Sequence, residues 1–522
     1  MTNARIVSAL RTAGVLVGVL LLWELVGRFQ LIGSGAFPPL SDIVASWWEN
    51  RAVYPAHILA TVRTAGAGFV IGNAVAIVLA GLFVLFPVLE RLARPLVVVL
   101  FCLPVVVVAP ILGVAFDGDW PKIALAILLV FFPTMIATVV GLSRAPGDAI
   151  SVVHASGGGA IRVLLLVRLR AALPDVLSGL QISAPAAFLG AILGEFLGGR
   201  SGLGVYLIGS MGRGEPAILW AIGLIATILS AALYGVIGVI RHLIGANNTR
   251  PSADMADLKA EPSTRGTAHK LATSTAWLLG GIAVLIAAWF GFIASTGLPR
   301  TLMNSPIEVW GALFTAPNAA ETRDRVFEAL GASMLPALVG TAAGILLALV
   351  LAVALSTSPA IARGFMPLAF VSQTVPLVAL APLIALVMGR GLPTIIAVTV
   401  SVTFFPSLVT MIQGIANAPL GPLDVMKSVN ASRWSIVTRV ILPNAVPHLL
   451  ASVRLAVPRA LTGVLIAEQY ITGTGLGGLL GISRGYLDYR MMWVIATVVA
   501  VVSFALYAIA QAGENAILRR RS

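Results

Sequence analysis

The sequence predicts an all-α membrane protein with about twelve transmembrane helices, arranged as two parallel six-helix repeats. Three observations predict it: the composition is too apolar for a water-exposed surface, the apolar runs have the length of a bilayer, and the second half of the chain repeats the first. Of 522 residues, 58% are hydrophobic and 11% charged, and the mean hydropathy is +0.99. A soluble globular domain carries about twice that charged fraction, so an ordinary cytosolic enzyme is excluded. The net charge of +13, from 34 Lys and Arg against 21 Asp and Glu, falls beside apolar runs rather than in a patch. It sets topology and does not point to nucleic acid.

A span needs about 20 apolar residues, because some 30 Å of hydrocarbon is crossed at about 1.5 Å per residue. In the first half such runs lie near 13–32, 65–87, 95–116, 121–142, 176–197 and 217–240. In the second they lie near 274–293, 334–356, 365–388, 392–414, 449–471 and 491–513. The first run lacks a small-residue cleavage site and reads as a retained span. Arg5, Arg11, Arg91, Arg94, Arg144, Arg162, Arg168, Arg170, Arg241, Arg250, Lys259, Arg265, Lys270 and Arg519 to Arg521 all fall on one side of the bilayer. The positive-inside rule makes that side cytoplasmic, with both termini inside. Residues 245–272 carry Pro251, Pro262 and charge without apolar periodicity, and read as a cytoplasmic linker between units 1–244 and 273–522.

The repeat has a shift of about 272 residues over roughly 180 positions. Pro104 and Pro110 recur as Pro376 and Pro382, and Phe131-Phe132-Pro133 as Phe404-Phe405-Pro406. Trp120-Pro121 aligns with Leu392-Pro393, Pro174 with Pro447, Glu195 with Glu468, SGLG (201–204) with TGLG (474–477), Trp220 with Trp493, and Tyr234 with Tyr507. Six crossings per unit make the copies parallel, related by an axis along the membrane normal, and place a path between them.

The repeated cytoplasmic connection is SVVHASGGGAIRVLLLVRLRAALPDVLSGLQIS (151–183) in one copy and DVMKSVNASRWSIVTRVILPNAVPHLLASVRLA (424–456) in the other. Both predict a short helix, a turn at Gly157 or Asn430, an amphipathic helix and a proline break. Such a corner can dock a helix into a partner's groove.

These loops resemble the cytoplasmic signature of binding-protein-dependent transport permeases, the membrane subunits of ABC importers. Asp424 supplies the acid, Asn430 stands where the family has Gly, Ala431 and Ser432 follow, and Leu442-Pro443 closes the pattern. The first copy departs further, with Ser151-Val152-Val153 for the acidic triplet, but keeps Gly157, Gly158 and Leu173-Pro174. LLWELVGR (21–28), NSPIEVW (304–310) and VRLAVPRALTGVLIAEQ (453–469) are most similar to the nitrate, sulfonate, taurine and pyrimidine-precursor branch. The resemblance implies a type I importer permease in a bacterial inner membrane, two ABC ATPase subunits on the two loops, and an external substrate-binding protein. No cofactor is expected on this chain, and ATP and Mg are expected on the ATPase. The four lysines, Lys122, Lys259, Lys270 and Lys427, do not follow glycine, so no phosphate-binding GxxxxGK[ST] exists. The weak acidic signature of the first copy implies unequal ATPase contacts. An ion-coupled secondary transporter, and a fused iron- or thiamine-type ABC permease, are the alternatives.

Intramembrane charge costs about 2.5–3.5 kcal/mol on insertion scales. Arg459, opposite the neutral Ala186 of the other copy, reads either as a bidentate partner for a small anion or as an arginine bonded to a neighbouring helix. Arg454, opposite Gln181, lies nearer the cytoplasm and is expected to snorkel. Ser372, Gln373 and Thr374 beside Pro376, with Thr403 on the next span, mark a polar bias of one copy. They read as pathway residues or as hydroxyls bonded within helices. Glu195 and Glu468 read as caps of the following GLG loop or as an outer gate, and Glu24 as an i,i+4 partner of Arg28. The five histidines and the single Cys102 form no metal-ligand spacing.

Overall fold

The computed structural model describes residues 14, 17–31, 35–244, 267–357, 377–416 and 420–519. The expected pathway residues Ser372, Gln373, Thr374 and Pro376 lie outside them, as do Arg5, Arg11, Arg520, Arg521 and the linker through residue 266. The first half contains α1 (17–28), α2 (Leu40–Glu49), α3 (Tyr54–Leu85), α4 (Pro87–Cys102), α5 (Val105–Ala115), α6 (Trp120–Ser143), α7 (Gly147–Ala155), α8 (Ala160–Gly198), α9 (Leu203–Arg213) and α10 (Pro216–Leu243). The second contains α11 (Thr267–Thr296), α12 (Pro306–Trp310), α13 (Ala319–Thr357), α14 (Leu377–Met388), α15 (Leu392–Ala416), α16 (Leu420–Ser428), α17 (Trp434–Thr472), α18 (Gly475–Gly485) and α19 (Tyr489–Arg519). Among the described residues nine helices are long and apolar enough to cross a membrane, or ten if α4 and α5 form one span.

The expected third span, 95–116, is two helices bent by 100° at Leu103-Pro104. Pro104 N-caps α5, where a proline cannot continue the hydrogen-bond ladder of α4. Helices α3 and α13 begin at Tyr54 and Ala319 rather than near 65 and 334, because helix continues beyond the apolar stretch into polar sequence. Small residues let the spans approach. A Cβ on Gly68 would lie 2.3 Å from Ala126 Cβ, and one on Gly340 would lie 2.5 Å from Thr399 Cβ. Both halves therefore build α3–α6 and α13–α15 contacts on glycine, the usual device where lipid supplies no hydrophobic drive for helix association.

The halves share one core. Ile192, Leu203 and Val106 belong to the same buried cluster as Leu465, Leu476 and Val398. Helix α11 packs on α4 of the other half, where Gly281 faces the Pro95 ring. Ser503 on α19 donates to the Cys102 carbonyl at the α4 break, at 2.5 Å.

Segments preceding the short α2 and α12 are held by indoles. Trp23 and Trp220 donate to Pro38 O and Ala36 O at 3.1 and 3.0 Å, and Trp289 and Trp493 to Asn304 O and Leu302 O at 3.2 Å each. Glu24 does more than face Arg28: its carboxylate accepts from Ser41 N at 3.0 Å and Ser41 Oγ at 2.8 Å, capping α2 across 17 residues, with the charge of Arg28 nearby. In the second half a local capping box of Ser305 and Glu308 does this work.

Arg454 does not snorkel. It is buried, its Nε lies 3.4 Å from Glu514 Oε2 on α19, and its guanidinium sits 5.9 Å from the Tyr507 ring centre. Breaking a buried pair from one side is costly, about 3–5 kcal/mol, whereas replacing both partners by apolar groups is near neutral or stabilising. Arg454→Met is expected to lower the detergent melting temperature markedly, and Arg454→Met/Glu514→Leu to recover most of the loss, as measured by thermal melts of the purified protein.

Candidate functional site

The two halves carry the same buried carboxylate arrangement near the far ends of α8 and α17. Glu195 Oε2 accepts from Thr61 Oγ1 at 2.9 Å and from the Gly204 amide at 3.0 Å, while Thr64 Oγ1 lies 3.4 Å from Oε1. Thr61 Oγ1 in turn accepts from the Leu203 amide at 2.9 Å. In the second half Ser333 Oγ lies 2.8 and 2.7 Å from the two Glu468 oxygens, Gly477 N donates to Glu468 at 3.0 Å, and Leu476 N donates to Ser333 at 2.9 Å. The first amides of α9 and α18, orphaned by helix geometry, thus find a carboxylate and a hydroxyl on neighbouring helices.

Glycine is dictated at the contact. Gly202 and Gly475 have φ of +124° and +61°, and a Cβ on either would fall inside the carboxylate of Glu195 or Glu468. A Cβ on Gly204 or Gly477 would lie 2.3 or 2.4 Å from the Ile192 or Leu465 carbonyl oxygen. Beside the carboxylate the halves differ in a lysine. Lys122, buried and ion-paired to Asp119 at 2.7 Å, has Thr394 as its counterpart.

At the opposite end lie the repeated loops. Gly157 and Asn430 both take left-handed backbone, with φ of +74° and +51°, ending α7 and α16. Glycine and asparagine tolerate this conformation best. Gly158 N then bonds Val153 O at 2.8 Å, and Ala431 N bonds Met426 O at 3.0 Å. Ser151 Oγ returns to Gly147 O at 3.0 Å, Ser432 Oγ accepts from Ser435 N at 3.2 Å, and Asp424 is exposed. Val152, Ile161 and Leu165 on one corner, and Val425, Val429 and Trp434 on the other, are exposed apolar side chains.

The proline break expected before the fifth span does not occur. Helix runs continuously from Ala160 to Gly198 and from Trp434 to Thr472, through Pro174 and Pro447, with π turns at Leu164–Arg168 and Val437–Ile441. These turns lie 273 positions apart, the same shift as the carboxylates. Pro174 therefore pairs with Pro447, and Pro443 stands opposite Arg170. The two Leu-Pro pairs are not equivalent positions.

Within the spans, Arg459 is half-buried, and no described residue hydrogen-bonds or ion-pairs with it. Thr403 is fully buried, returns its hydroxyl to Thr399 O at 2.9 Å, and wedges against Gly344 on α13. The structure also holds a buried polar cluster absent from the sequence reading: Thr134 Oγ1 and Ser183 Oγ donate to Asn73 Oδ1 at 2.5 and 3.1 Å, joining α3, α6 and α8. The lone asparagine inside an apolar span was its signal. Its second-half counterparts are Ile345, Ser407 and Ala456.

Residues 72–246 and 340–521 each match the family described as binding-protein-dependent transport system inner membrane component. The riboflavin transport system permease protein of Chloroflexus aurantiacus is 32% identical over 157 residues, 30% of this chain and 59% of that one. A probable ABC transporter permease protein of Haemophilus influenzae is 28% identical over 226 residues, 43% of this chain and 90% of its own. The formylaminopyrimidine transport permease protein of Halalkalibacterium halodurans is 27% identical over 225 residues, 42% of this chain and 86% of its own. Each of the latter two matches nearly throughout its length and covers less than half of this chain.

Loss of one carboxylate would strand an amide and a hydroxyl in a dry interior, at about 1–3 kcal/mol per group. Glu195→Ala and Glu468→Ala are each expected to lower thermal stability by about 2–3 kcal/mol on that scale. Gly475→Val is expected to prevent accumulation of folded protein. Melting curves and size-exclusion profiles in detergent check all three.

Proposed function

The chain belongs to the family of binding-protein-dependent transport system inner membrane components, and from that premise we propose that it forms both halves of the pathway for a small anionic organic solute. Membership makes it a multi-pass permease subunit of an ABC importer, with one family match in each half. The loop face is read as cytoplasmic, in a bacterial inner membrane with both termini inside. Two ATPase subunits dock on the α7–α8 and α16–α17 corners, whose exposed Ile161 and Trp434 suit an apolar groove. ATP and Mg bind those partners, and an external binding protein delivers the solute to the far face.

The observation that carries the solute class is Arg459. A guanidinium inside a span is retained at high cost unless something pairs with it, and no described residue does. A carboxylate or sulfonate would accept two parallel N–H bonds there. The relatives' names include riboflavin, formylaminopyrimidine, taurine and aliphatic sulfonates, and taurine and sulfonates carry such a group.

The test is ATP-dependent uptake in vesicles carrying the chain with its ATPase and binding protein, using labelled taurine, riboflavin and formylaminopyrimidine as probes. Arg459→Ala is expected to cut uptake of the accepted anion about tenfold or more, the value of one charge-assisted pair, with Arg459→Lys intermediate. Undiminished uptake by Arg459→Ala would remove it from the solute path. Uptake that persists without the ATPase would overturn the importer reading. Asn430→Arg is expected to reduce coupled ATP hydrolysis more than Gly157→Arg, because Asp424 stands only in the second loop.

A further inference from the structure

The far ends of α8 and α17 meet across the two halves, and they do not meet symmetrically. Phe196 on α8 packs edge-on against Tyr470 of α17, with ring centroids 4.5 Å apart and planes at 89°. By the repeat shift of 273, Phe196 corresponds to Gln469 and Tyr470 to Leu197. The pair related to it by the repeat is Leu197 with Gln469, so the aromatic contact can be made only once. The backbones of the two halves differ there as well. Residues Glu468–Thr472 form a π turn that ends at Gly473 with φ +71°. The first-half counterpart stays α-helical to Gly198 and leaves in extended backbone at Gly199.

A second cross-half contact lies beside the first. Arg484 on α18 donates through Nη2 to the Leu197 carbonyl, and its first-half counterpart is Met211. The last carbonyls of a helix lack intrahelical donors and carry the negative end of its dipole, so a guanidinium is a fitting cap. Here one half caps a helix of the other.

The closed arrangement is not fully satisfied. The Tyr470 hydroxyl and Gln469 Oε1 are buried without a hydrogen-bond partner. Each such atom costs about 1–3 kcal/mol while the contact is closed, and opening to water restores its hydration. Glu195 and Glu468, by contrast, are well supplied with donors inside their own halves. They hold α9 and α18 in place without joining the halves.

We infer that Phe196, Tyr470 and Arg484 form the outer closure of the pathway, an asymmetric latch in which the second half's π turn and α18 grip the end of the first half's α8. The word "outer" rests on the importer reading; the closure itself rests on the contacts. Opening the path requires the aromatic pair and the Arg484 cap to part together. Tyr470 also lies 11 residues, about three helical turns, beyond Arg459. The latch and the anion-binding residue are thus carried by one helix.

The experiment is passive efflux of labelled taurine from proteoliposomes containing the purified full chain alone. Phe196→Ala/Tyr470→Ala is expected to raise efflux about tenfold over the unmodified chain, the equilibrium shift that loss of one aromatic pair supports. Arg484→Ala is expected to raise it less, and Tyr470→Phe to stay tight, because the ring makes the seal. Unchanged efflux in the double alanine variant, with the protein still monodisperse, would overturn the latch. So would a Tyr470→Phe leak as large as that variant's. As a second arm, Phe196→Cys/Tyr470→Cys in a Cys102→Ser background is bridged with a short bifunctional methanethiosulfonate. Bridging is expected to block ATP-driven uptake of the accepted probe in the full complex at least tenfold, reversed by dithiothreitol, and transport by the bridged protein would overturn the latch. If the importer reading fails, only this second arm goes silent, and the efflux arm still decides the closure.

Discussion

A polar group inside a bilayer-spanning bundle has to be satisfied by the protein itself, and the most consequential use of that constraint here is the pair of buried carboxylates. Helices α9 and α18 are 11 residues each, too short to hold position by their own propensity. Glu195 and Glu468 tie their first amides to α8 and α17, and Thr61 and Ser333 extend the tie to α3 and α13. Three helices in each half are thereby held at one point. The orientation of the helix ends that meet across the halves follows from it, as does the demand for glycine at 202, 204, 475 and 477.

Away from those ties the halves agree where packing is at stake and differ where charge is. Gly68 and Gly340 do the same work at the same repeat positions. Polar chemistry diverges: Asn73, Thr134 and Ser183 are bonded together in the first half, and their second-half places are mostly apolar. On the loop side of the bundle Asp175 pairs with Arg144 at 3.2 Å in one half, and Arg454 with Glu514 at 3.4 Å in the other. Fusion permits this. In a symmetric pair every substitution occurs twice, while in a fused chain an arginine such as Arg459 can stand in one half and Ala186 at the equivalent place in the other.

Helices α8 and α17, at 39 residues each, span about 58 Å at the usual rise. One end of each lies at an exposed loop corner and the other at the cross-half contact. Each runs unbroken between those ends although it holds internal prolines, among them Pro174 and Pro185 in α8 and Pro447 and Pro458 in α17. The π turns near the loop ends keep the ladder unbroken while shifting its register.

Much of this was legible in residue order, because lipid imposes a simple rule: long apolar runs, basic flanks and a register repeated over hundreds of positions can be counted without coordinates. The duplication follows from such counting, the turns at Gly157 and Asn430 from residue types that tolerate left-handed backbone, and the permease family from the resemblance of the loop signature together with the family match in each half. Partners distant in sequence were decided only by the tertiary structure. Glu24 faces Arg28 four residues away and also caps α2 through Ser41, and Arg454 looked free to reach water and instead meets Glu514. Pro174 looked like a break and lies inside a helix. The meeting of Phe196 with Tyr470 has no trace in either repeat. It lies on a five-residue π turn found at Glu468–Thr472 and not at its first-half counterpart, and both the turn and the contact are set by packing, which no periodicity in the chain encodes.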